Sequence, residues 1–244
     1  MPKSVLEHFS NSGIQFYKAA SNHFIVTEPK IRDVCVKCNG GPLSKLDDYM
    51  INLIRKDLCN IVDSSYELEC DVDAVKRWLL KVSYNSVRAH HGWLKAYEEN
   101  RWFLLEGAKF KGLLRVYIGI VRPRSLELEE VKKYGFPDGT THVPPFPFRM
   151  GEFIRFEGRV NKIPHRRFLT IGCFGFYLFM WEESPGEKEV SATDGFLKEG
   201  FGLEVMDPTP EGKIVFPLSK LNTVTYVSEH LDVYQREYSK LLKM

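Results

Sequence analysis

The sequence predicts an α+β fold, with a small helical N-terminal part followed by an antiparallel β-rich part. Three observations carry that prediction. The stretches after Leu43 and after Asp73 repeat apolar residues at helical spacing. From about residue 110 the pattern changes to short β-branched and aromatic runs set between Gly and Pro. Helices first and strands afterwards is the order of an α+β chain, not of alternating α/β units.

Taken in order, residues 2–11 read as a short helix, with Val5, Leu6 and Phe9 on one face and Asn11-Ser12-Gly13 ending it. Two β-like runs follow, Ile14–Tyr17 and His23–Thr27, before Ile31–Val34 leads into Cys35 and Cys38. Asn39-Gly40-Gly41-Pro42 is a turn signal. Ser44 and Asp47 have the spacing of a capping box, and Leu43, Leu46, Met50, Leu53, Ile54 and Leu58 make a helical stripe. A second helix is expected over about 73–98, capped by Asp71 or Asp73 and bent or broken at His90-His91-Gly92. Its buried side is Val75, Trp78, Leu79, Val82, Ala89 and Trp93, and Lys76, Arg77, Lys81, Arg88 and Lys95 supply its outer charge.

Residues 102–112 read as irregular, Leu113–Val121 as a strand, and 122–151 as a long connection whose second half is rich in Pro and Gly. Further strands are expected over 152–160, 167–181, 201–206, 213–217 and 222–228. Phe168–Trp181 is apolar enough for a central strand or hairpin, so its aromatics read as core and not as a base-stacking platform. An amphipathic helix over 228–243 carries Leu231, Tyr234, Tyr238 and Leu241. The expected division is a knuckle region at 1–60, a helical connector at 61–110 and a β-rich domain with a C-terminal helix at 111–244.

A chain of 244 residues supports a sizeable core. A net charge of +2 gives little attractive field, so contact with DNA needs a local basic patch. Such a patch is available at His165-Arg166-Arg167, read as a turn, together with Arg159 and Lys162; a solvated strand end is the alternative. No run approaches about 18 apolar residues, so no membrane partner is expected. The first residues lack a signal peptide, and the expected location is cytoplasmic. Five cysteines, an odd number, point to reduced thiols.

Cys35 and Cys38 form a Cys-x-x-Cys pair. Two thiolates at this spacing can occupy adjacent tetrahedral positions on Zn²⁺. The same pair is also open to a redox reading, or to two ordinary thiols in a turn. The nearest further ligands in sequence are Cys59, Cys70, His8 and His23, none at a recognisable ligand spacing. Adjacent His90 and His91 on a helix would point about 100° apart, which suits surface positions better than a shared ion.

Cys35-x-x-Cys38-Asn39-Gly40-Gly41 followed by Leu43-Ser44-x-Leu46-Asp47 resembles the Cys-x-x-Cys-Asn-x-Gly-Trp-(Met/Leu)-Ser-x-Leu-Glu segment of bacterial and phage HNH-endonuclease-like proteins. Pro2-Lys3-Ser4-Val5-Leu6 is similar to the segment that follows that family's catalytic histidine, and Trp78-Leu79-Leu80-Lys81 to a helix that often follows the domain. The resemblance covers roughly residues 2–58. It implies a ββα-metal fold and a structural Zn²⁺ shared by Cys35, Cys38 and a second cysteine pair. It also implies Mg²⁺ or another divalent cation with Asn39 among its ligands, and DNA as substrate. Two departures stand out. Gly41-Pro42 replaces the usual Gly-Trp, and the family's histidine and first cysteine pair would precede Pro2. No catalytic residue is therefore assigned. The expectation is an N-terminally truncated or degenerate HNH-endonuclease-like protein, cleaving DNA in a full-length form and inactive as written. The alternative is a non-catalytic scaffold that contacts nucleic acid or a protein partner.

Overall fold

The computed structural model describes residues 16–18, 23–25, 35–60, 62–89, 95–134, 142–143, 148–152 and 165–223. The helices expected at 2–11 and 228–243, the strand expected beyond Glu152, and Arg159 and Lys162 lie outside the described residues.

Strands β1 (Phe16–Lys18) and β2 (His23–Ile25) pair antiparallel. A one-turn helix α1 (Val36–Asn39) precedes α2 (Pro42–Leu53), which runs on as a π turn through Ile54–Leu58. Proline is preorganised for the first position of a helix, and α2 begins there. Gly41 is consequently the N-cap and offers no side-chain bond. The expected capping box is not formed, because Asp47 falls beyond the first turn and is engaged elsewhere.

Strand β3 (Tyr66–Glu69) leads to α3 (Val72–Ala89). Asp71 caps α3 by accepting the Ala74 N–H at 3.0 Å. The helix expected over 73–98 is described in two stretches, α3 to Ala89 and α4 (Lys95–Glu99), with 90–94 outside the described residues. Part of the segment expected to be irregular is helical, α5 (Arg101–Glu106). Arg77 on α3 closes the end of α5 by donating to the Leu104 and Leu105 carbonyls at 3.0 and 2.8 Å.

Strand β4 (Leu113–Arg122) follows, then β5 (Arg124–Ser125), α6 (Leu128–Tyr134), β6 (His142–Val143) and β7 (Phe148–Glu152). The hairpin β8 (His165–Ile171) and β9 (Phe174–Trp181) turns at Gly172-Cys173. The remaining elements are α7 (Glu187–Phe201), β10 (Glu204–Val205), β11 (Lys213–Phe216) and β12 (Leu218–Asn222). The main sheet has the order β10-β4-β9-β8-β7. It is antiparallel except at one place: β12 pairs parallel with β4, so the sheet is mixed. β11 pairs β3 and β5 pairs β6 in separate ribbons.

The chain is α+β, and the pleat divides its core. Phe174, Phe176, Leu178 and Met180 of β9 join Val116, Ile118 and Ile120 of β4 in one cluster with α2 and α3. The alternate residues Tyr177, Phe179, Trp181, Tyr117 and Val121 join Leu197 of α7 in a second. Every β9 side chain is buried, as expected of a strand covered on both faces. The larger cluster draws on all three expected sequence segments: Leu46 and Met50, then Trp78 and Leu79, then the sheet. Among the described residues, no helix is long and apolar enough to cross a membrane.

Candidate functional site

Cys35 has extended backbone angles (φ −61°, ψ 143°), and its Sγ accepts the Cys38 N–H at 3.1 Å. It is thus the side-chain cap of α1, the role usually taken by Ser or Asp. A redox pair wants a helix starting at its first cysteine, and one does start here. At one turn, however, it has little dipole with which to activate a thiol. The neighbouring Cys38 side chain, helped by the Cys38 N–H, holds the Cys35 thiol below its ordinary value, and Cys35 in turn pushes the Cys38 thiol up. Cys35 and Asn39 are exposed; Cys38 is half-buried against the core. Two sulfurs on one exposed turn fit half of a tetrahedral zinc site.

The turn into α2 depends on close backbone approach. A Cβ on Gly41 would lie 2.7 Å from the Lys37 carbonyl oxygen. The next turn is fastened from α3. Lys81 Nζ donates to the Leu43 carbonyl at 3.2 Å and to Asp47 Oδ2 at 2.5 Å, and Trp78 Nε1 donates to Asp47 Oδ1 at 3.2 Å. Lys81, expected among the outer charges, is in fact 7% exposed. Its signal was present in the helical spacing: Ala74, Trp78 and Lys81 stand at i, i+4 and i+7 on one face.

Cys59 and Cys70 do not complete the site. Among the described residues, no three His, Cys, Asp or Glu side chains converge to hold a metal ion. Burial raises the Cys59 thiol, and burial with Asp71 and Asp57 nearby pushes Cys70 up to about 11, the opposite of what a ligating thiolate needs. His8 lies outside the described residues.

The basic run His165-Arg166-Arg167 lies in β8 and not on a turn, and all three side chains are half-buried. Strand pleating sends Arg166 to one face and His165 and Arg167 to the other, so the three do not form one patch. His165 packs its ring on Tyr97 of α4, centroids 5.8 Å apart, and Tyr97 shares a 2.7 Å bond with Ser83 of α3. Burial, with the Arg167 charge adding to it, lowers the His165 pKa to about 4, so the imidazole is neutral.

One constellation was not foreseen. On the opposite face of the sheet Arg115 forks onto Asp194 of α7, with Nε to Oδ1 at 3.0 Å and Nη2 to Oδ2 at 2.5 Å, and Tyr117 donates to the same Oδ1 at 2.6 Å. Burial works to raise the Asp194 carboxyl, but the bonds from Arg115 and Tyr117 outweigh it and hold the group low. Burial and the Asp194 carboxylate raise the Tyr117 phenol, which stays protonated as the donor. Its partners lie 79 and 77 positions apart in sequence, so no spacing could announce them. Compared with known protein families, with characterised proteins and with solved structures, the chain finds no match.

Proposed function

We propose that this is an HNH-endonuclease-like protein whose Cys35–Cys38 knuckle is one half of a structural zinc site. The observation that carries the reading is the geometry of the turn: two free thiols on one helical turn, tied by the bond from the Cys38 N–H to Cys35 Sγ, with the exposed Asn39 beside them. A second observation supports it. The two separate motif segments, Leu46-Asp47 and Trp78-Leu79-Leu80-Lys81, are joined to each other by the Asp47 bonds. Zinc, when bound, would be held by Cys35 and Cys38 together with two further ligands, which no cluster among the described residues supplies. By the same resemblance Asn39 would be a ligand of a catalytic Mg²⁺ or a similar cation, with DNA as the substrate class.

Cleavage by such a site also needs a histidine to deprotonate water. His165 is the one histidine whose side chain is described, and it sits neutral in the sheet against Tyr97. We therefore favour a protein that keeps the metal-binding scaffold and does not itself cut DNA. Metal analysis of the purified chain should find less than one zinc per chain, all of it lost in Cys35→Ser/Cys38→Ser. Zinc unchanged in that variant rejects the knuckle as the site. Plasmid nicking with Mg²⁺ or Mn²⁺ tests the other half: robust cleavage abolished by Asn39→Ala would make the chain an active nuclease.

A further inference from the structure

The trio of buried Lys81 and Trp78 with half-buried Asp47 is an unusual way to join two helices. An ammonium taken out of water is costly unless it is fully paired, and apolar residues of similar volume often serve stability as well or better. Burial outweighs the bonds from Lys81 and Trp78 and leaves the Asp47 carboxyl above its usual range. A carboxyl shifted in that direction contributes less stability once the pH rises through its folded value. What the trio does supply is position. The N-terminus of α2 has no side-chain cap, and Gly40 and Gly41 link it to α1. Lys81 reaches the first turn of α2 at Leu43 and the second at Asp47 with the same nitrogen. The end of α2 that carries the cysteine turn is thereby fixed on α3.

We infer that Lys81, paired with Asp47, is a positioning residue for the metal-binding knuckle. The two sulfurs must meet one ion at fixed angles, and their orientation is inherited from the start of α2. The inference rests on the knuckle binding metal. It adds that this binding is set from α3, by residues that never touch the ion.

Co²⁺ added to the full chain tests it, read through the thiolate–cobalt charge-transfer band. D47N/K81M keeps an acceptor for Trp78 Nε1 and removes both charges. It should bind Co²⁺ about tenfold more weakly than the natural chain, the low end of what outer partners of metal ligands contribute. Lys81→Arg, which keeps the cation, should restore most of the affinity. Val121→Ala, in the core cluster that contains no residue of α2 or α3, serves as the control for general destabilisation and should leave the affinity unchanged. The inference is overturned if D47N/K81M binds Co²⁺ like the natural chain, or if Val121→Ala weakens binding as much. Absence of the band in the natural chain is a different failure, that of the knuckle itself.

Discussion

A methyl group on Gly41 would stand 2.7 Å from the Lys37 carbonyl oxygen, closer than a carbon can come. Gly41→Ala should therefore force α1 away from α2 and cost about 1–3 kcal/mol, as overpacking generally does; urea denaturation measures it, and a change within error would show that the turn can relax. His165 makes a prediction of another kind. An ordinary imidazole titrates near 6.5, and here burial lowers the pKa to about 4. The unfolded chain binds the proton first, so the stability contributed by the neutral ring is complete above about 6.5 and is lost as the pH falls from there towards 4. The urea midpoint should consequently drop less between pH 7 and pH 5 in His165→Phe than in the natural chain; equal drops would mean that another group governs the acid limb. At this scale the cysteine turn was legible as a turn, from Asn39-Gly40-Gly41-Pro42, while Cys-x-x-Cys spacing left its chemistry open. Lys81 was legible only by its place on the buried face of α3; its pairing was not, because a lysine in a helix reads as solvated until its partner is known. The residues of His165-Arg166-Arg167 were legible as a charge run, but strand pleating distributes them over two faces.

Among the elements, α2, α3, β4 and the β8–β9 hairpin follow from their apolar periods, whereas α7 was not expected at all. The reason lies in its residues. Only Thr193 and Leu197 are buried, and Gly195 and Gly200 lower its intrinsic helicity. With so little apolar surface to hold it, α7 depends on Asp194 and its bonds to Arg115 and Tyr117. Asp194→Ala leaves a buried phenol and a half-buried guanidinium without their shared acceptor, and should cost about 2–3 kcal/mol. Limited proteolysis should then cut within 187–201 in the variant before it cuts the natural chain; identical digestion patterns would show that Leu197 alone retains the helix. His90-His91-Gly92, where the helix expected over 73–98 was to bend or break, lies outside the described residues, and α5 was not foreseen, since Arg101–Glu106 is too short to show a period.

Across the whole molecule the α+β class was legible from the order of the patterns; the sheet is antiparallel except at β12, which runs parallel to β4 and makes it mixed. Nothing in Leu218–Asn222 encodes direction; that is set by the ribbon β3–β11, which delivers the chain to the edge of β4. The expected boundaries near residues 60 and 110 cross one continuous cluster, in which Met50, Trp78, Ile118 and Phe176 are all buried. Thermal unfolding followed by near-ultraviolet and far-ultraviolet circular dichroism should accordingly give coincident transitions. Two separated transitions would show that the segments unfold independently. The parallel strand also has a consequence for biosynthesis. Ser219 Oγ bonds the Ile120 carbonyl across 99 positions, and β12 occupies the edge of β4 that β10 leaves open. At about 5–20 residues per second, a ribosome delivers β12 some 5–20 s after β4. For that interval the C-terminal half of that β4 edge has no strand to cover it. A nascent chain paused between the two is the form of this protein in which a chaperone has most to bind.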